Sequence, residues 1–94
     1  MFQVHITPSA RKEAKKLAKQ AREFVVEASK TLEQNPYAGE RLTGSLHMLY
    51  SFHFSAGGVQ YWMAYHVDEK QKLVIVHLVQ SRENFYKKLK RIFR

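Results

Sequence analysis

Residues 74 to 79 are Val74-Ile75-Val76-His77-Leu78-Val79, an apolar run rich in β-branched side chains. Such a run predicts a buried strand. Residues 80–86 follow directly and lead into a basic segment, which predicts a helix at the C-terminal end. Arg82 and Tyr86 are one helical turn apart, so their side chains can face the same way. A strand that ends at such a pair suits contact with a phosphodiester, because arginine grips phosphate oxygens and tyrosine stacks on a base or forms a hydrogen bond.

Two more strands precede this one along the chain. Residues 49–54 and 59–67 alternate between the two faces of a sheet, and Gly57-Gly58 between them predicts a hairpin turn. One face carries large apolar side chains, namely Tyr50, Phe52, Tyr61 and Met63. We expect the opposite face to be open, polar and aromatic, with Ser51, His53, Gln60, Trp62 and Gln80 on it and Arg82 at its edge.

The N-terminal third of the sequence is typical of helices. Residues 2–6 alternate as a short first strand, and Thr7-Pro8 then supplies an N-cap and a first-turn proline. Residues 9–34 contain no Gly or Pro, and their apolar side chains recur at helical spacing. One long helix is compatible with this pattern. A helical hairpin that bends near residues 18–20 is favoured, because a small domain gains more by packing two helices on one sheet.

The expected fold class is α+β, in a single domain that spans residues 1–94. Its element order is β-α-α-β-β-β-α, with an antiparallel sheet of about four strands. The N-terminal helical pair packs on one face of this sheet, and a short helix ends the chain. Residues 36–44, which include Gly39 and Gly44, are expected to form a loop.

The composition limits the class of protein. The 94 residues are 45% hydrophobic and 13% aromatic, which is typical of a folded globule. There are no cysteines, so disulfides and thiolate metal sites are excluded. No apolar run approaches the ~20 residues of a transmembrane helix, and the N-terminus lacks the charged-then-apolar order of a signal peptide. The cytoplasm is therefore the expected location.

Three histidines, His53, His66 and His77, are on neighbouring predicted strands and could in principle bind a metal ion. They include no close-spaced ligand pair, and the nearby carboxylates cluster in a turn. We therefore expect no metal ion and no other cofactor.

The formal net charge of +8 predicts a polyanionic partner, because a basic surface attracts nucleic acid, acidic proteins or anionic membranes. Helical lysines often form no more than a solvated face, but here two clusters have little compensating acid. A helix lying on a membrane is the weaker reading, since the first helical stretch is apolar mainly through alanine. The first cluster includes Lys12, Lys15, Lys16, Lys19 and Arg22, and the second includes Lys87, Lys88 and Arg91.

Several segments, in this order and at this length, resemble the RelE/ParE toxin superfamily of bacterial and archaeal toxin–antitoxin systems. They are residues 32–36, 39–46, 49–54 and 64–69, and the closing Arg82-x-x-x-Tyr86 pair. The resemblance implies a RelE-like fold and a type II toxin. The activity it implies first is an mRNA endoribonuclease, ribosome-dependent, that inhibits translation. Two alternatives stay open: a ParE-like, non-enzymatic inhibitor of DNA gyrase, and a catalytically weakened member kept as an antitoxin-binding partner.

The resemblance carries Arg82 and Tyr86 over directly as catalytic residues. RelE-type ribonucleases place lysines on the strand where this chain has Ser51 and His53, and histidine-using branches similar to YafQ make His53 the third candidate. Arg82 would stabilise charge on the scissile phosphate, and His53 would take a proton from the ribose 2′-hydroxyl. Tyr86 would stack on a nucleotide or donate a proton. Each residue also has an alternative without a catalytic role. Arg82 could form a salt bridge, His53 could be a surface histidine without a function, and Tyr86 could pack within the last helix.

The other candidates are for RNA binding. On the sheet they are Ser51, Gln80 and Trp62, of which Trp62 could equally be a core or antitoxin contact. The cations of the two clusters suggest a ribosomal RNA footprint or a docking surface for an antitoxin. The expected partners are a cognate antitoxin, acidic and partly disordered when free, and the ribosome with its mRNA. No membrane partner is expected, and gyrase is expected only under the alternative.

Overall fold

A five-stranded sheet forms the centre of the computed structural model, which describes residues 1–93. The strands are β1 (Gln3–Ile6), β2 (Glu40–Arg41), β3 (Tyr50–Ala56), β4 (Val59–Asp68) and β5 (Leu73–Ser81). They lie in the order β1-β5-β4-β3-β2. The α+β class and the antiparallel arrangement of β3, β4 and β5 are confirmed. The structure adds β2, within the predicted loop, and a parallel pairing of β1 with β5.

Two helices follow β1 and one follows β5. They are α1 (Pro8–Ala14), α2 (Lys19–Gln34) and α3 (Arg82–Ile92). The Thr7 hydroxyl accepts a hydrogen bond from the Ala10 amide at 3.1 Å, so the predicted N-cap is in place. The predicted helical pair is confirmed, and the break between its helices lies at residues 15–18, slightly before the predicted position at residues 18–20. No helix within residues 1–93 has the length and apolar content needed to cross a membrane.

The main core lies between α2 and the sheet. Val25, Ala28 and Leu32 of α2 pack against Met63 and Tyr65 of β4. The same core includes Val74, Val76 and Val79 of β5, with Tyr50 and Phe52 of β3 packed against it. Tyr61 packs with Ala21 of α2 in a smaller adjoining cluster. The predicted facing of Tyr50, Phe52, Tyr61 and Met63 is therefore confirmed.

The opposite face of the sheet is not open, which corrects the expectation. Phe85 and Leu89 are one turn apart on α3, and they pack in a second core with Ala64 and Leu78. The physical reason is that α3 has an apolar stripe of its own, which needs cover as much as the sheet does. The face stays accessible beside both ends of α3, at Trp62 near its N-terminal end and at His66 and His77 near its C-terminal end.

A β-bulge lets β5 serve both cores. Ala64 pairs with Leu78 and Tyr65 with Val76, so His77 is the extra residue between them. Without the bulge, Val76 and Leu78 would share a face, because side chains alternate along a strand. With it, Val76 packs under α2 and Leu78 packs under α3.

Candidate active site

Trp62 is the centre of a cluster that contains all three predicted catalytic side chains. His53 is its cross-strand neighbour and stacks on its ring, with centroids 4.2 Å apart and ring planes 12° apart. The Tyr86 ring meets Trp62 edge-on at 5.7 Å. The Arg82 guanidinium carbon lies 5.9 Å from the centroid of the Trp62 ring. The structure thus brings together residues from β3, β4 and the first two turns of α3.

A cleft of about 170 Å³ lies beside this cluster. Ser51, His53, Trp62 and Tyr86 line it on the sheet and α3 side, and residues 40–43 line it on the β2 side. Arg82 does not line this cleft. It lines an adjacent groove together with Gln60 and Glu83. A bound strand that contacts both Arg82 and His53 therefore has to pass over the Trp62 cluster.

His53 is exposed at the surface although Trp62 covers one face of its ring, and its surroundings favour the neutral imidazole. Burial lowers the pKa of His53, the Arg82 charge lowers it further, and the Glu40 carboxylate partly offsets both effects. Its Nε2 atom is 2.8 Å from the Ser51 hydroxyl. A neutral imidazole at neutral pH is the form that can accept a proton.

Ser51 and Gln80 are not on the surface, which corrects their expected role as RNA contacts. Ser51 is 2% exposed and Gln80 is 8% exposed. Gln80 instead accepts a hydrogen bond from the Ser81 amide at 2.9 Å, just before α3 begins. Alternation predicts the face that a side chain occupies, but the depth depends on what covers that face. His53 likewise covers one face of the Trp62 ring, so that face cannot stack on a base.

The sequence prediction missed Glu40 and Arg41, which line the cleft from β2. Arg41 is held in place because its Nε donates to the His47 carbonyl at 2.9 Å. The close approach of β2 depends on Gly39, since a Cβ there would come within 2.6 Å of the Ser51 carbonyl oxygen. The only signal in the sequence was a charged pair after a glycine, inside a segment that was read as a loop.

Comparison with known proteins places the chain in a family. A model described as "ParE-like toxin of type II bacterial toxin-antitoxin system" matches residues 4–90. The chain belongs to this family. No curated protein sequence gave a significant match to the toxin.

Solved structures agree with this assignment. The toxin is similar to a chain of the RelBE2 toxin–antitoxin complex of Mycobacterium tuberculosis, with 26% identity, a TM-score of 0.73, and coverage of 86% of this chain and 98% of the other. A double mutant of E. coli RelE in the free state is 20% identical, with a TM-score of 0.74 and 97% of both chains covered. The isolated E. coli RelE toxin is 24% identical, with a TM-score of 0.70 and 98% and 99% of the two chains covered. The RelE-like fold is therefore confirmed.

The two basic clusters of the toxin meet only in part. Lys12 of α1, Lys16 in the turn after α1, and Lys88 and Arg91 of α3 line one groove of about 300 Å³. Glu13 lies among them, with carboxylate oxygens 3.4 Å from Lys88 Nζ and 3.6 Å from Lys16 Nζ. Burial alone would raise the pKa of Glu13, but its bonds to Lys88 and Lys16 outweigh burial and lower it. The groove does not include the other predicted cations, which are exposed elsewhere: Lys15, Lys19, Arg22 and Lys87.

The three histidines that were considered for metal binding are separated. His66 Nδ1 and His77 Nε2 are hydrogen-bonded at 2.7 Å, and His77 also meets Phe93 edge-on. His53 belongs to the Trp62 cluster instead. Within residues 1–93, no three histidine or carboxylate side chains are grouped so that they could hold a metal ion.

Proposed function

We propose that this toxin is an mRNA endoribonuclease that cleaves in the ribosomal A site and thereby inhibits translation. The observation that carries the proposal is the convergence of His53, Arg82 and Tyr86 around Trp62, beside an accessible cleft. A base, a fixed positive charge and a phenolic hydroxyl are the groups that cleavage of a phosphodiester by its own ribose needs.

The proposed reaction is an attack of the ribose 2′-oxygen on the adjacent phosphorus. The neutral His53 imidazole takes the 2′-hydroxyl proton as the new P–O bond forms. Arg82 stabilises the negative charge that develops on the phosphoryl oxygens. The bond to the 5′-oxygen then breaks, and that oxygen takes a proton from the Tyr86 hydroxyl. The products are a 2′,3′-cyclic phosphate and a 5′-hydroxyl, and no metal or other cofactor enters this scheme.

Arg82 gives the sharpest test, because its role is purely electrostatic. Arg82→Ala should reduce cleavage of mRNA on programmed ribosomes by about a hundredfold, since one lost charge-stabilising contact costs about 3 kcal/mol. The matched control is Arg11→Ala. Arg11 is an exposed arginine that lines a groove between β1 and α2, away from Trp62, so its removal should leave cleavage close to wild type. Mapping mRNA 5′ ends gives the rate at each codon. A wild-type toxin that arrests growth without cutting mRNA, on or off the ribosome, would overturn the proposal.

Inhibition of DNA gyrase is the second candidate, and the ParE-like description of the matching family model favours it. The same fold can serve either activity, so fold alone does not decide. Gyrase-linked DNA breaks, measured in the same arrested cells as the mRNA ends, separate the two. Breaks without mRNA cleavage would make Arg82 and Tyr86 target contacts instead of catalysts.

We also infer a cognate antitoxin that uses the basic groove between α1 and α3. The similar M. tuberculosis and E. coli proteins are described in complexes with antitoxins. In this chain, Glu13 pairs with Lys16 and Lys88, whereas no carboxylate of residues 1–93 forms an ion pair with Lys12 or Arg91. Those two cations are available to an acidic segment that folds as it binds.

Charge reversal tests this docking site. Lys12→Glu with Arg91→Glu should weaken the complex with the protein of the neighbouring reading frame. Lys30→Glu with Lys70→Glu changes the net charge equally at exposed lysines outside the groove, and should leave the complex intact. Equal binding by both double variants would place the antitoxin elsewhere. Failure of any complex to form, and of co-expression to relieve growth arrest, would contradict the partner itself.

A further inference from the structure

We propose that Ser51 is a positioning residue for His53, and that its hydroxyl engages Nε2 so that Nδ1 is the ring nitrogen presented to RNA. The value of this arrangement to catalysis rests on the proposed function, in which His53 transfers a proton. The arrangement itself can be measured in the toxin without any substrate.

Burial decides what Ser51 can do. At 2% exposure it offers almost no surface to an RNA strand in the cleft, whereas its hydroxyl is 2.8 Å from His53 Nε2. No other side-chain hydrogen bond involves Ser51 within residues 1–93. A buried polar group is normally paired, and here the pair is the candidate catalytic histidine.

Two contacts fix the imidazole in different ways. The stack on Trp62, with planes only 12° apart, sets the plane of the His53 ring. The bond to Ser51 sets the orientation within that plane, because turning the ring over would replace Nε2 with a carbon atom at the hydroxyl. Together they hold one nitrogen in place and leave the other for the reaction. A base oriented by a third group is a recurring arrangement in acid–base and nucleophilic catalysis.

Ser55 is a matched control that the strand itself provides. Ser51 and Ser55 each lie two residues from His53 on β3, so all three side chains are on the same face. Ser55 is exposed and forms no side-chain hydrogen bond within residues 1–93. Removal of either hydroxyl deletes one oxygen atom from the same strand, but only one of them should affect His53.

The test is nitrogen-15 NMR of the imidazole in the free toxin and in three variants. We expect a single tautomer of His53 in the wild type, in Ser55→Ala and in Ser51→Thr, which keeps a hydroxyl. We expect a mixture of tautomers in Ser51→Ala, with the shifts of the other histidines unchanged as evidence of folding. A tautomer ratio that is the same in Ser51→Ala and in the wild type would overturn the proposal.

The tautomer that is observed for His53 also tests its proposed role as the base, separately from the positioning role of Ser51. If Nε2–H donates to Ser51, Nδ1 carries the lone pair that a general base needs, and the pKa of His53 falls in Ser51→Ala because the charged ring has lost an acceptor. Ser51→Ala then slows cleavage by roughly five- to tenfold, the value of one hydrogen bond of about 1 kcal/mol. If Ser51 donates to Nε2, the pKa rises in Ser51→Ala. That result supports the positioning role and overturns the assignment of His53 as the base.

Discussion

Trp62 is the residue on which the candidate site depends. Its ring contacts His53 and Tyr86 and lies near Arg82, and it also meets Phe85 at 5.3 Å. It therefore connects the catalytic candidates to the core beneath α3. Trp62→Ala should lower the free energy of unfolding by about 3–5 kcal/mol and reduce cleavage as well. Trp62→Phe retains an aromatic surface and should recover much of both, as measured by urea unfolding and by cleavage on ribosomes. Equal stability of the two variants would contradict this connecting role.

Tyr86 can be tested by removing its hydroxyl alone. Its side chain is 42% exposed, while its ring packs edge-on against Trp62 and Phe85. Tyr86→Phe keeps that ring, so the unfolding midpoint should not change. If the hydroxyl donates the proton to the leaving 5′-oxygen, cleavage should fall by about 10² or more. A small loss would instead assign Tyr86 to stacking on a nucleotide.

Among the elements, β2 has more influence than its two residues suggest. It brings Glu40 and Arg41 to the cleft, and it can approach β3 only because residue 39 is glycine. Gly39→Ala would place a Cβ 2.6 Å from the Ser51 carbonyl oxygen and 2.8 Å from the Tyr65 hydroxyl. We expect a loss of about 2–3 kcal/mol in the free energy of unfolding and a displaced β2.

The control for that variant is Gly44→Ala. Gly44 has a φ of +68° but no atom within 4 Å of the position a Cβ would take. The free energy of unfolding of this variant should therefore fall by only about 1 kcal/mol, which is the cost of an alanine in the left-handed backbone conformation. Urea midpoints of the two variants give the comparison. A Gly39→Ala toxin as stable as Gly44→Ala would mean that the contact with β3 is not tight.

The sequence predicts the elements that have a long local pattern and misses those that depend on distant partners. Alternation was enough to place Tyr50 and Ser51 on opposite faces. It could not indicate that Ser51 is buried, because burial depends on neighbours that are distant in sequence, such as Glu40 of β2, which pairs with Ser51. The pairing of β1 was also beyond reach, since the direction of a strand is set by its partner and not by its own residues. The His77 bulge left no signal in an apolar run.

The same limit applied to the candidate site. Arg82 and Tyr86 were recognisable by their spacing on one helix, and His53 by its place on the sheet. Glu40 and Arg41 were not, because a two-residue strand has no periodicity to recognise. The hydrogen bond between Ser51 and His53 depends on a side-chain geometry that alternation alone does not specify.

For the molecule as a whole, two partly desolvated histidines, the exposed His53 and the half-buried His77, predict how stability varies with pH. Burial lowers the pKa of His53 and of His77 below 6.5, so the folded toxin binds fewer protons than the unfolded chain in that range. The stability that these two groups contribute is therefore fully present above pH 6.5 and is lost as the pH decreases through their folded pKa values. Thermal unfolding across pH should have a smaller slope in His53→Gln and in His77→Gln. An unchanged slope in both would contradict this origin.

The parallel pairing of β1 with β5 has a consequence for the order in which the chain can fold. Gln3 lies beside Leu73 in that pairing, so the first strand to be synthesised has no partner until the last strand has been made. Contacts of such long sequence separation slow folding and delay it until most of the chain is available. Arg82 and Tyr86 are synthesised later still. The candidate site around Trp62 therefore cannot assemble until β5 and the start of α3 have been synthesised.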